Sequence, residues 1–209
     1  MGFEFDIHGF VSDSKNATTA RDSLERYFSQ NTGQHFERFA SRADARQFTS
    51  DDVSAIATLS VPLDGEAVVG LMLTHADRLT ELLNSPALPP REAALWEVDA
   101  TALASDQPLS MIYDELKRIP GINYVRASKL LAGKRPHLVP IRDSVVEQLL
   151  GAGTDYWAPM RDVLSDPELR RSLEFVSDGV VPSDVSLLRR LDVILWMEGK
   201  ARGLGTRRS

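Results

Sequence analysis

The side chains able to do chemistry are concentrated between Lys117 and Val146, in the run KRIPGINYVRASKLLAGKRPHLVPIRDSVV. Seven basic residues, Lys117, Arg118, Arg126, Lys129, Lys134, Arg135 and Arg142, fall within 26 residues that contain no Asp or Glu. Asp143 follows them as a single carboxylate. The rest of the chain carries 17 basic against 30 acidic side chains, and the whole has a formal net charge of −6. That contrast implies one basic face on an acidic body, which is suited to an anionic partner but not to coating a nucleic acid with the entire surface. Each feature also has a plainer reading. The cations can be a solvated face or can neutralise helix C-termini, as Lys117 and Arg118 would. Lys129 can be an ordinary exposed helix position. Asp143 can cap a helix over Ser144–Leu150.

A turn sits in the middle of this run. Ile119-Pro120-Gly121-Ile122-Asn123 lies between two helical patterns, one carrying Leu109, Ile112 and Leu116, the other Ala127, Leu130 and Leu131. Gly121 permits a backbone geometry that other residues resist, Asn123 can cap the next helix, and Ala127 lets two helices approach closely. This is the pattern of a helix-hairpin-helix, in which backbone N–H groups at the start of the second helix can bind a DNA phosphate while nearby cations add affinity that ignores base sequence. The residues expected to touch nucleic acid are Gly121, Asn123, Tyr124, Arg126, Lys129, Lys134, Arg135 and Arg142. The alternative is a short αα-corner that merely packs.

The remaining chain supplies helices to hold this corner. Residues 3 to 11 alternate apolar and polar side chains and permit a short strand or an extended arm. A helix is expected from Asn16, with Ala20, Leu24, Tyr27 and Phe28 on one stripe. Thr49 with Asp52 reads as a capping box. Further helices are expected over 65–73, from Thr74 with Asp77 as a capping pair, over 91–104, and from Asp106 with Pro108 in its first turn. Beyond Ser144–Leu150, helices are expected around Trp157–Leu164, after Asp166-Pro167, and after Ser183. The class is therefore all-α, with little or no strand. Asn84-Ser85-Pro86-Ala87-Leu88-Pro89-Pro90 reads as a linker between an N-terminal lobe, 1–84, and a hairpin-containing lobe, 91–200, with a mobile tail over 201–209. One compact domain is the alternative.

Composition removes several function classes. There is no cysteine, so thiolate zinc sites, disulfides and iron–sulfur clusters are excluded. His8, His35, His75 and His137 are scattered without metal-ligand spacing, so no metal and no cofactor are expected. No apolar run approaches the ~20 residues of a membrane span, and no secretory leader is visible, so a cytoplasmic location without membrane contact is expected. No phosphate-cradling glycine loop or nucleophile elbow is present.

Residues 105–150 resemble the helix-hairpin-helix superfamily of DNA glycosylases, the endonuclease III-like proteins. Ile119-Pro120-Gly121-Ile122-Asn123 takes the hairpin, Ala127 the helix contact, and Asp143, after Val139-Pro140-Ile141, the place of the catalytic aspartate. The resemblance implies a carboxylate that stabilises positive charge on the sugar as a base departs, or activates a water. Val125 stands where lyase members carry a lysine, so covalent chemistry is not implied unless Lys129, one turn on, substitutes. Asn123 replaces the second hairpin glycine, and Arg142 is an extra residue before the aspartate. Over most of its length the chain is also similar to an uncharacterised family of bacterial, largely actinobacterial, helical proteins. The matching pieces are Arg46–Asp52, Ala127–Leu131, Lys134–Val146 and Leu191–Met197. Two functions follow as expectations: a duplex-DNA-binding protein, as a monofunctional N-glycosylase if it is an enzyme, or a non-catalytic helical binding module with a protein or nucleic-acid partner.

Overall fold

Helix starts in this chain are written by side chains that accept from their own first turn. In the computed structural model, which describes residues 3–153 and 156–205, Asp13 accepts from Lys15 and Asn16 and opens α2 (Ser14–Gln30). Thr49 and Asp52 form the expected capping box at α4 (Ser50–Thr58), with Asp52 accepting from the Thr49 amide at 2.7 Å. Asp166 accepts from Glu168 ahead of α11 (Pro167–Ser177), with Pro167 in the first turn. Each such cap stabilises a helix by about 1 kcal/mol. The described residues are all-helical, with no strand among them.

The chain folds into two compact units. One joins the chain up to Asn31 to the chain from Pro140 onward; the other is Thr32–Val139. The proline-rich run 84–90 lies inside the second unit, so the units do not follow the 1–84 and 91–200 lobes read from the sequence.

In the first unit, α1 (Ile7–Ser12) and α2 join α9 (Ser144–Leu150), α10 (Trp157–Leu164), α11 and α12 (Leu187–Ala201). The central α12 packs against α2, α9 and α11 and buries Leu191, Val193, Ile194 and Leu195. Gly199 allows the close approach of α9, since a Cβ there would lie 2.5 Å from Val145 Cγ1. A polar core crosses the unit: Arg189 donates to Asp192 on its own helix and to the Tyr27 hydroxyl on α2. Ala201 ends α12, residues 202–205 form turns, and 206–209 of the tail lie outside the described residues.

In the second unit, a 3-10 turn (Thr32–His35) leads into α3 (Phe36–Ala40), followed by α4, α5 (Gly65–Val69), α6 (Ala76–Leu83), α7 (Pro108–Arg118) and α8 (Tyr124–Lys134). Helix α8 is buried continuously from Ala127 to Lys134 and packs on α3, α4 and α7. A helix buried on all faces is ordinarily apolar. This one ends in Lys134, whose side chain is 0% exposed and whose Nζ donates to Asp52 Oδ2 at 2.6 Å and to the Asp44 carbonyl at 2.7 Å. The Phe48 ring covers the same ammonium at 5.0 Å. Burial raises the Asp52 carboxyl and lowers the Lys134 ammonium from their usual values, and the mutual attraction only partly opposes this.

Several local expectations are corrected. The segment read as strand or arm is α1, because Asp6 accepts from Gly9 and Phe5 turns back onto Phe10 with ring centres 5.3 Å apart. The 91–104 helix is replaced by turns and a 3-10 turn over Ala100–Leu103, since the Leu95 amide is drawn away to the His137 carbonyl at 2.9 Å. The helix over 65–73 widens into a π-turn over Gly70–Thr74, and α6 starts after His75 with no side-chain cap. Ser186, not Ser183, caps α12.

Lys134→Met leaves Asp52 as an unpaired buried carboxylate and is expected to lower unfolding free energy in urea by about 3–5 kcal/mol. The double variant Asp52→Leu/Lys134→Met is expected to recover most of that loss. A double variant as unstable as the single one would show that the pair is not what links α4 to α8.

Candidate nucleic-acid interface

The hairpin forms as its residues require. Ile119 is extended, as a residue before proline prefers, which ends α7. Gly121 has φ +82°, a region that side chains with a Cβ rarely enter. The Ile122 amide donates to Ile119 O at 3.0 Å, closing the turn. Asn123 then caps α8 by accepting from the Arg126 amide at 3.0 Å, and the Arg126 guanidinium returns to the Gly121 carbonyl at 2.7 Å. Ile122 and Ala127 are buried, and the Tyr113 hydroxyl donates to the Tyr124 carbonyl at 3.2 Å, tying the two helices together.

The corner has two unlike sides. On one, Gly121 rests against the start of α5: a Cβ there would lie 3.2 Å from both Ala67 Cβ and Asp64 Oδ2. Asp64 is engaged in capping α5 through the Ala67 amide at 2.9 Å. On the other, Asn123 and Tyr124 are exposed, Tyr124 to 38%. Lys117 lies over the Tyr113 ring at 4.7 Å and pairs with Asp114 at 2.7 Å on its own helix.

The basic cluster read from the sequence does not assemble as one face. Lys129, Lys134 and Arg135 are buried at 4%, 0% and 5% exposure. Lys129 Nζ reaches the Leu59 carbonyl at 3.5 Å. Arg135 donates to the carbonyls of Pro89 at 2.9 Å and Lys134 at 3.0 Å. The placement of these three on a nucleic-acid surface is therefore corrected: their cations satisfy carboxylates and carbonyls inside the unit, including those freed where α8 ends. Arg142 and Asp143 belong to the first unit. Arg142 donates from Nε to Glu147 at 2.7 Å, and Asp143 is half-buried and caps α9 by accepting from the Val145 amide at 3.0 Å. Asp143, Glu147 and Asp192 all raise the fully buried Tyr156 phenol, after burial itself, which is the largest cause. Gly121, Asn123, Tyr124 and Arg126 are thus the expected site residues that come together at one corner.

One linked cluster in the second unit has no sequence signature. His75 Nδ1 lies 2.6 Å from Glu115 Oε1, and Arg118 donates to Glu115 Oε2 at 2.7 Å. His75 and Glu115 are 40 residues apart, beyond the reach of any local spacing rule. Burial alone would raise the Glu115 carboxyl, but hydrogen bonds from His75 and Arg118 hold it below its usual value.

The matching of sequence to known families agrees with the continuity of these elements: a family of unknown function, DUF6308, matches residues 20–199. The chain belongs to that family. The DUF6308 match takes in the capping box, the whole hairpin, the Lys134–Asp52 pair and Asp143. No curated protein and no solved structure matches the chain. Among the described residues no helix is long and apolar enough to cross a membrane, and no group of three or more His, Asp or Glu could hold a metal ion.

Two outcomes check this assignment of roles. Asp143→Ala is expected to cost about 1 kcal/mol in denaturant unfolding, the value of a lost N-cap, and Asp143→Asn less. For Glu115 the folded pKa is depressed, so its stabilisation is present above the ordinary carboxyl value of 4.5 and fades as pH falls below it. The stability gap between wild type and Glu115→Gln, about 1–2 kcal/mol at pH 7, should close in acid; a gap that widens below pH ~4 contradicts the assignment.

Proposed function

We propose that this chain is a non-catalytic helix-hairpin-helix module that binds duplex DNA at the corner between α7 and α8. The observation that carries the reading is the exposed Asn123–Tyr124 face at the start of α8, to which the Tyr113 hydroxyl is bonded, with Lys117 over the Tyr113 ring. The first amides of a helix have no intrahelical partner, and the helix end carries partial positive charge. An exposed corner of that kind accepts a backbone phosphate. Asp64 gives the contact a direction: its carboxylate repels an anion from the Gly121 side and leaves the Asn123–Tyr124 side as the favourable approach.

Binding without base excision is the form that the side chains favour. Asp143 spends one oxygen on the Val145 amide as a helix cap. Val125 has no nucleophile, and Lys129, the remaining candidate for covalent attack, is buried with its ammonium directed to a backbone carbonyl. A Schiff-base lysine must meet its substrate, and a buried side chain directed to a backbone carbonyl does not.

Fluorescence anisotropy with a 20-base-pair duplex tests the proposal. Affinity should fall with salt along a slope of roughly −1 to −2, at about −0.9 for each neutralised phosphate. Lys117→Glu/Tyr124→Ala should weaken binding by about tenfold or more while the fold persists by circular dichroism. Absence of binding at ~20 mM salt, or a double variant that binds as well as wild type, would sink the hairpin as a DNA contact.

A further inference from the structure

A second cationic feature lies elsewhere in the Thr32–Val139 unit, and the hairpin reading does not use it. His35, Arg38, Phe39 and Arg42 stand at i, i+3, i+4 and i+7, running from the 3-10 turn through α3 into the turn that follows. They line one concavity of 350 Å³. His35, Arg38 and Arg42 are exposed, and Phe39 is half-buried between them. No acidic side chain lines the concavity. Glu37 falls on the other side of the helix with its Oε2 buried. Arg42 lies 5.9 Å from the centre of the Phe39 ring and approaches Asp51 only to 3.7 Å, its own side chain 69% exposed.

Fold stability accounts for only part of this arrangement: Arg42 pairs with Asp51 at 3.7 Å at the edge of the concavity. Cations at the C-terminal turn of a helix relieve its dipole, which would explain Arg38. His35 occupies the N-terminal end and makes no side-chain cap bond. What the four residues share is the concavity. Cations gathered around a recessed aromatic ring, with no carboxylate in the wall, concentrate positive potential where a planar group can stack.

The geometry points to a binding site for single-stranded nucleic acid on α3, in which an unpaired base stacks on Phe39 while Arg38 and Arg42, with His35 beside them, hold the flanking phosphates. Stacking on an aromatic side chain combined with charge along the backbone is how proteins hold single strands without reading sequence. Arginine suits the phosphate because its planar donors can address two oxygens at once. The volume is at the lower end of small-ligand sites and admits about one nucleotide. A duplex keeps its base faces stacked within the helix and cannot present one to Phe39, so this site separates single from double strands. The inference stands apart from the hairpin proposal, since none of its residues belongs to α7 or α8.

The test uses the full chain and a fluorescein-labelled oligothymidylate of eight nucleotides, read by anisotropy at low salt, beside a blunt duplex and with inorganic pyrophosphate as competitor. Wild type should bind the single strand. Arg38→Glu/Arg42→Glu should weaken that binding at least tenfold, and Arg38→Gln/Arg42→Gln provides the same reading if charge reversal disturbs folding. Phe39→Leu, which keeps an apolar side chain in the half-buried position, should weaken oligonucleotide binding about threefold to tenfold without changing pyrophosphate competition for the remaining binding. In the Lys117→Glu/Tyr124→Ala background the arginine variants should still weaken single-strand binding at least tenfold, so loss of the duplex contact and loss of this site are read independently. The inference is overturned if the single strand does not bind, if the arginine variants bind it as wild type does, or if Phe39→Leu is without effect and the site is only an anion pocket.

Discussion

The ion pair between Lys134 and Asp52 is the constraint on which the second unit depends. Both groups are almost completely removed from solvent, and their pKa values move in the directions that burial imposes, up for the carboxyl and down for the ammonium. A pair of this kind is weak evidence of net stabilisation, because desolvation can exceed the Coulombic gain. Its effect is on uniqueness. The ammonium has Asp52 on one side, the Asp44 carbonyl on another and the Phe48 face over it, so the C-terminal end of α8 can dock at one rotation and one depth. Asp52 completes the arrangement by accepting from Thr49 with the same oxygen, so one atom holds the α4 cap and the α8 anchor. Moving either helix leaves a buried charge unpaired.

That anchoring determines what the hairpin can do. Helix α8 begins at the corner and ends at the ion pair, so the Asn123–Tyr124 face is presented from a helix whose far end is fixed. At Gly133 the anchored end lies beside α3, where a Cβ would make ordinary contact with Ala40 and Phe36 at 3.6 and 3.8 Å. Arg91 and Arg135 complete the same end by donating to carbonyls of the 40–45 and 89 segments and of Lys134 itself. The residues that resemble a basic DNA-binding run in one dimension are, in three, the means by which the second unit closes its loops around α8.

The parts legible in the sequence are those decided within a few residues. The capping box at Thr49 and Asp52, the first-turn proline at Pro167, the turn between α7 and α8 at Pro120-Gly121 and the Asn123 cap are local chemistry, and each occurs where its spacing places it. The misreadings share a different cause. A count of charges along the chain takes lysine and arginine to be exposed, which holds for Lys117 and Arg118 and fails for Lys129, Lys134 and Arg135. Their partners are distant: Asp52 is 82 residues from Lys134, and the Leu59 carbonyl is 70 from Lys129. The helix expected over 91–104 fails similarly, because Leu95 gives its amide to His137 rather than to its own turn. At the candidate site, Gly121, Asn123 and Tyr124 were readable, whereas the approach of Asp64 and the His75–Glu115 contact depend on packing. The stripe on α3 was readable in principle, since His35, Arg38, Phe39 and Arg42 keep helical spacing, but a helix of five residues with a 3-10 entry gives too few turns for a period to stand out.

An acidic protein that keeps Lys129, Lys134 and Arg135 inside can bind a polyanion only at short range. With a net charge of −6, the mean field repels nucleic acid at distances beyond the ~8–10 Å over which physiological salt screens charge. Within that distance a few local groups would decide the outcome: a helix end, a few exposed cations, and an aromatic ring on which a base could stack. Few released counterions mean a shallow dependence on salt, and much of the binding energy must then come from contact geometry. With the two proposed contacts, such a surface would discriminate by the shape of the nucleic acid, a backbone corner against an unpaired base, more than by its charge. The internal use of Lys129, Lys134 and Arg135 therefore gives up long-range attraction to fix α8 inside the second unit.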